Sequence, residues 1–203
     1  MKRALVCVWG IALSAFVAAC SPSGDSVEHS TSSAATSTAI RIAVPVNPAP
    51  AQNDQWRNAV RFDPCAGIGD DTISTAGFDP STRKRNDFSF DTYSFIGCSF
   101  DHKESIRGQM LPVRTLTVWS TNISLAEFRD RYAKSSEKIV VDGRDALRYR
   151  QTEVHSGSCG VAMKTADGAL DVSTSTNAAF TSEKPCDRIV EVASAIESVL
   201  PEG

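Results

Sequence analysis

The sequence predicts an α+β domain: an antiparallel β-sheet with packed helices, stapled by two disulfides. Three observations carry this. Apolar and polar residues alternate in several stretches, as where Leu116 and Val118 interleave with Thr115, Thr117 and Trp119, which is the period of a half-buried strand. Helix signals stand before, between and after those stretches. Four cysteines, Cys65, Cys98, Cys159 and Cys186, lie outside the N-terminal region, and none is spaced Cys-x-x-Cys. That spacing argues for bridges rather than a zinc or redox site.

The elements follow in order. Asp63-Pro64-Cys65 opens a short helical region, with Asp70 as the expected N-cap and Gly77 as the stop. Residues 78–93 read as a long connection, and its Arg83-Lys84-Arg85 triplet as a solvated loop, since Asp87 and Asp91 follow closely. Ile96, Cys98 and Phe100 share one face of a strand, and residues 114–121 form a second. Ser124-Leu125-Ala126-Glu127 is a capping box, with Leu125, Phe128 and Tyr132 on one helical face behind it. Residues 139–141 and 146–151 are short strands around the Asp142-Gly143 turn. Cys159, Val161 and Met163 alternate on the next strand. Asp167-Gly168 is the strongest hairpin turn, and Leu170 and Val172 continue after it. A last helix is expected from about Pro185, with Ile189, Val192, Ile196 and Val199 as its stripe.

The N-terminus predicts location. Lys2 and Arg3 precede an apolar run from Ala4 to Ala19, and Val17-Ala18-Ala19-Cys20 closes it. The run is shorter than the roughly 20 residues that span a bilayer. Ser-Pro-Ser-Gly follows, without a basic stop-transfer flank. Residues 1–19 therefore read as a signal peptide and Cys20 as the residue that takes a diacylglycerol. Two acyl chains suffice for stable anchoring. The expected place is the extracytoplasmic face of the cell membrane. Residues 20–55 read as the lipidated cysteine and a disordered Ser/Thr/Pro-rich tether, too poor in apolar surface to repay ordering. Residues 56–203 read as one disulfide-bonded globular domain, long enough for an ordinary core.

With Cys7 in the signal and Cys20 lipidated, four cysteines remain, and four allow three connectivities. Cys65–Cys98 and Cys159–Cys186 are favoured, because each joins nearest neighbours within one supersecondary unit. Net charge is −3, and −5 without Lys2 and Arg3. A mildly acidic exported domain argues against nucleic acid as a partner.

The spacing of Asp63-Pro64-Cys65, Gly97-Cys98-Ser99-Phe100, Gly143-Arg144-Asp145-Ala146, Cys159-Gly160-Val161 and Pro185-Cys186, together with the lipobox, resembles a lipoprotein family of unknown function. That family is abundant in high-GC Gram-positive bacteria with mycolic-acid envelopes. The resemblance covers about residues 60–201, with Phe100 standing where members more often carry Trp. It implies an envelope location and agrees with the favoured bridges. It brings no catalytic residues.

Chemistry is sparse. The histidines are His29, His102 and His155. His155 precedes Cys159 by four residues, but a bridged cysteine is no nucleophile, and no third orienting group accompanies them. Gly157-Ser158-Cys159-Gly160 is not a nucleophile elbow, and Gly67-Ile68-Gly69 is a turn rather than a dinucleotide fingerprint. Asp70 and Asp71 are explained by helix capping more simply than by a metal. Trp119 and Tyr149 lie on strands as core or cross-strand residues, or as the lining of a ligand pocket. No catalytic set, metal or cofactor is implied. The function expected is a binding module for an envelope lipid, a glycan or a protein; the rivals are an envelope enzyme with an unusual site and a lipid carrier.

Overall fold

The computed structural model describes residues 40–151 and 157–201. They build one antiparallel sheet of eight strands. The strands are β1 (Asp79–Arg85), β2 (Phe88–Ser89), β3 (Ser94–Ile106), β4 (Gln109–Thr121), β5 (Ser136–Val141), β6 (Arg144–Gln151), β7 (Ser158–Lys164) and β8 (Ala169–Thr176). Their order is β1-β3-β4-β8-β7-β6-β5, and β2 continues the β1 edge by pairing with the start of β3. The helices are α1 (Pro64–Gly67), α2 (Asp70–Thr75), α3 (Leu125–Arg131) and α4 (Ile189–Glu197). Among the described residues the longest helix has nine residues and the longest strands thirteen. The domain is therefore mostly sheet, and the α+β expectation gave the helices too much weight.

Strand alternation sorts the interior into two cores. Cys98, Phe100, Leu116, Val118, Val161, Met163, Leu170 and Val172 point to one face, where they meet Ile68, Ile73, Ile189, Val192 and Ile196 from α1–α2 and α4. The other face carries Leu147, Tyr149, Ala162 and Ala169 beneath Ile123 and Phe128 at α3. Cys65 is bonded to Cys98, which ties α1 to β3. Cys159 is bonded to Cys186, which ties β7 to the turn before α4. Both bridges serve the first core.

Several expectations are corrected. Asp70 does not cap α2. Gly69 holds the N-cap position, and Asp70 is its first helical residue. Its carboxyl is buried against Arg83 at 2.8 Å and accepts the Ala43 amide at 2.7 Å. Residues 78–93 hold β1 and β2, not a bare connection. β1 lacks apolar alternation because its fully inward residue is an arginine. The basic triplet is accordingly no solvated loop: Arg83 is buried, Arg85 pairs with Asp63 and Asp87, and only Lys84 is exposed. α4 begins at Ile189, after a turn through residues 185–188, and Val199 lies beyond it, partly exposed. Contacts with the domain also begin before Trp56. The Arg41 carbonyl accepts the Asp70 amide, Val46 packs on the first core, and Gln52 bonds the backbone of Val60 through both amide atoms.

Candidate functional site

On the second face, Asp171, the third residue of β8, stands in an unusual place for a carboxyl. β8 alternates Leu170 and Val172 into the first core, so Ala169, Asp171 and Ser173 take the opposite face. Asp171 is paired in register with Trp119 on β4 and Ala162 on β7. It is 2 % exposed. Its one hydrogen bond among the described residues comes from the Tyr149 hydroxyl on β6, at 2.7 Å.

Two glycines shape what surrounds it. Tyr149 is opposite Gly160 in the ladder, and its ring lies flat over that residue: a Cβ at 160 would sit 2.4 Å from Tyr149 Cζ. The missing side chain lets the phenol cross β7 and reach Asp171. Trp119 is opposite Gly97, where a Cβ would sit 2.2 Å from the indole Cδ1. The indole leans toward β3, and its Nε1 donates to the Asn86 carbonyl at 2.6 Å. The two rings thus lie over glycines on either side of β8.

Aromatic walls rise from this floor. Phe95 meets Trp119 edge-on at 5.9 Å, Phe88 meets it at 6.0 Å, and Tyr93 continues the row to Phe90. On the far side Tyr132 stacks on Tyr149 at 4.1 Å, beside Phe128. All three tyrosines of the chain stand here. The space between the walls is about 200 Å³, with Asp171 at its base and Arg131 and Gln151 also lining it. The Gln151 amide donates to the Tyr132 hydroxyl at 3.0 Å.

The capping box positions the α3 wall. Ser124 Oγ accepts the Glu127 amide, and the Glu127 carboxylate accepts the Ser124 amide at 2.9 Å. Arg57 forks onto the same carboxylate at 2.6 and 3.1 Å. Phe128 follows directly in sequence, and Tyr132 is the C-cap of the same helix.

Burial dominates the electrostatics. It pushes the Asp171 carboxyl up to about 7, against a partial opposing pull from the Tyr149 hydrogen bond. The Tyr149 hydroxyl is held well above its ordinary range by burial first and the Asp171 charge second, and Tyr132 is raised for the same two reasons. A carboxyl that titrates near neutrality in an aromatic cleft marks a site with a physical rationale.

The residues singled out from sequence scatter by comparison. Trp119 and Tyr149 are brought together around Asp171. The four bridged cysteines serve the opposite face. His102 lies on β3, 3.5 Å from Glu104 and partly exposed. Asp70 is committed to Arg83, and in Gly67-Ile68-Gly69 the first glycine ends α1 while Ile68 and Gly69 link it to α2. Among the described residues no cluster of metal-ligating side chains occurs, and no helix is long and apolar enough to cross a membrane. Cys20, residues 1–39, His29 and His155 lie outside the described residues. Sequence reasoning missed Asp171. A lone charge between Leu170 and Val172 near the start of the strand was its only local signal.

Comparison with curated proteins and with solved structures finds no match. Comparison with protein families matches residues 15–198 to one described as a protein of unknown function (DUF3558). The chain belongs to the DUF3558 family.

Proposed function

We propose that this protein is a lipid-anchored binding module of the cell envelope, held on the extracytoplasmic face of the membrane through Cys20, with the aromatic cleft as its binding site. The basic, apolar and small-residue order of residues 1–20 supports the anchor. The resemblance to lipoproteins of mycolic-acid bacteria supports the setting. The single observation that carries the binding reading is Asp171, a buried carboxyl at the base of an aromatic cleft. Burying an ionisable group there costs stability unless something is gained. The cleft is smaller than the roughly 300–1,000 Å³ of whole-ligand pockets, so its occupant is a head group or a side chain rather than a complete lipid. This weighs against the lipid-carrier reading.

One observation favours an enzyme: a carboxyl titrating near 7 suits general acid–base catalysis. The only group in hydrogen-bond reach of it among the described residues is the Tyr149 hydroxyl, whose raised pKa makes it a poor nucleophile. Binding is the better reading.

The test has two arms. Cys20→Ala should release the protein from membranes; unchanged retention overturns the anchor. For the cleft, isotope-labelled full chain is titrated with benzene-sized and alkyl fragments. Shifts should gather on Phe95, Trp119, Tyr132 and Tyr149 and vanish in Trp119→Ala. Fragments that leave these resonances unmoved overturn the site.

A further inference from the structure

We propose that the cleft takes a cationic head group, an alkylammonium or quaternary ammonium, seated between the aromatic walls with its charge against Asp171. This rests on the reading of the cleft as a binding site and names the ligand class.

Asp171 lacks a counter-charge among the described residues. Asp70 and Asp171 are the two carboxyls that are 3 % exposed or less among the described residues. Asp70 has Arg83 at 2.8 Å. Asp171 has no lysine or arginine of the described chain within ion-pairing distance; its partner is a neutral hydroxyl. A buried carboxylate is ordinarily paired, and here the open side of the carboxyl is the cleft.

The chemistry of the walls points the same way. Aromatic faces attract cations, and quaternary ammonium groups are their best-known guests. A sugar would ask for several free hydrogen-bonding groups. Those present are largely committed: Trp119 Nε1 to Asn86, Gln151 to Tyr132, Tyr149 to Asp171. What remains deep in the cleft is one carboxyl. An anion would meet that carboxyl and the negative faces of the rings, which excludes it. The volume of about 200 Å³ suits a trimethylammonium-sized group.

Binding should depend on pH. The titratable groups facing Asp171 are Tyr149 from β6 and Tyr132 from the end of α3, with Arg131 at the rim and Tyr93 on the opposite wall. Burial and the Asp171 charge raise the Tyr149 and Tyr132 hydroxyls, so neither changes charge between pH 6 and 8. Asp171 does, so protonation of this one group removes the counter-charge as pH falls.

The probes are choline and its uncharged carbon isostere, 3,3-dimethylbutan-1-ol, titrated into full-length protein in a non-ionic maltoside detergent. The indole resonance of Trp119, assigned with Trp119→Phe, reports occupancy. Choline is expected to bind at least about tenfold more tightly than the isostere. Its affinity should fall about tenfold from pH 8 to pH 6, while that of the isostere stays flat. Asp171→Asn should erase the preference. If that variant does not fold, the wild-type pH series still decides. An isostere that binds as well as choline, or choline binding that ignores pH, overturns the cationic ligand and leaves the cleft as an apolar site. If neither probe perturbs Trp119 at tens of millimolar, the cationic ligand falls. If the fragments of the preceding test also leave the cleft resonances unmoved, the binding reading falls with it.

Discussion

The Tyr149 hydroxyl donates to Asp171 Oδ1 at 2.7 Å, two strands away, and it reaches because Gly160 lies between them without a side chain. This one bond links backbone, packing and electrostatics. The glycine lets the ring lie flat, the flat ring closes one wall of the cleft, and the hydroxyl satisfies half of a buried carboxyl.

Asp171 sets the first prediction. Its folded carboxyl, at about 7, holds its proton more tightly than the unfolded one, near 3.8. The folded state therefore loses stability as pH rises from about 4 to about 7, and the full cost is present above that. Asp171→Asn keeps an acceptor for Tyr149 and removes the titration. It is expected to be more stable than wild type at pH 8, by up to about 4 kcal/mol, and to converge with it near pH 4. Urea melts across pH check this. A gap that does not change with pH would mean that Asp171 does not titrate in this range.

The two glycines under the rings should fail differently. At Gly160 the three nearest atoms to an added Cβ all belong to the Tyr149 side chain. Gly160→Ala should displace the ring, break the bond to Asp171 and cost about 1–3 kcal/mol. Adding Tyr149→Ala should cancel most of the clash, so the double variant should be less than additive. At Gly97 the Val118 carbonyl oxygen also stands 2.7 Å from the added Cβ. Trp119→Ala should therefore leave Gly97→Ala largely unrescued. Equal rescue at both positions would contradict the backbone contact.

Much of the fold was legible because local signals agreed with the tertiary outcome. The period of two in Ile96-Cys98-Phe100, Leu116-Val118 and Cys159-Val161-Met163 identified the strands of the first core. The Ser124–Glu127 capping box and the Asp142-Gly143 turn were readable in the same way. β1 was not, since its inward residue is Arg83 and its partner Asp70 lies thirteen positions back; a buried ion pair carries no periodic mark. The α4 stripe ran past the helix because Val199 keeps the spacing in the turn after Glu197, where its amide donates to the Ile196 carbonyl three residues back. The site was half visible. Trp119 and Tyr149 were noticeable as strand aromatics, but their convergence depends on β8 inserting between β4 and β7. That long-range pairing has no signature near either residue.

The α3 cap offers a test that reaches the cleft. Hydrogen bonds from Arg57 hold the Glu127 carboxyl down at about 2, against the opposing effect of burial, with Ser124 adding to the pull. The pair is partly exposed, so screening limits its worth. The contribution is present above the ordinary value near 4.5 and is lost as pH falls toward 2. Ser124→Ala should cost about 1 kcal/mol. Because Phe128 lies on α3 and Tyr132 is its C-cap, it should also loosen the Tyr132–Tyr149 stack. Faster amide exchange through residues 125–132, with β3 and β4 unchanged, is the expected signature; uniform destabilisation would speak against a local role.

Arg83 supplies the last prediction. Its guanidinium is buried, giving one hydrogen bond to Asp70 Oδ1 at 2.8 Å and another to the Cys65 carbonyl at 3.0 Å. It thereby joins β1 to α2 and to the bridged end of α1. Burial alone would raise the Asp70 carboxyl, but the bonds from Arg83 and the Ala43 amide outweigh it and hold the group below its ordinary value. Arg83→Met strands that carboxylate, and breaking a buried pair from one side costs about 3–5 kcal/mol. In wild type the pair's stabilisation is complete above the ordinary value of 3.8 and fades as pH falls through the lowered one. In the variant, acid instead neutralises a stranded charge. The gap between the two proteins should therefore be widest near neutral pH and narrow toward pH 3. Denaturant melts at several pH values measure it directly. A gap that stays constant into acid would mean that the loss is one of packing alone, with Asp70 finding its charge partner elsewhere.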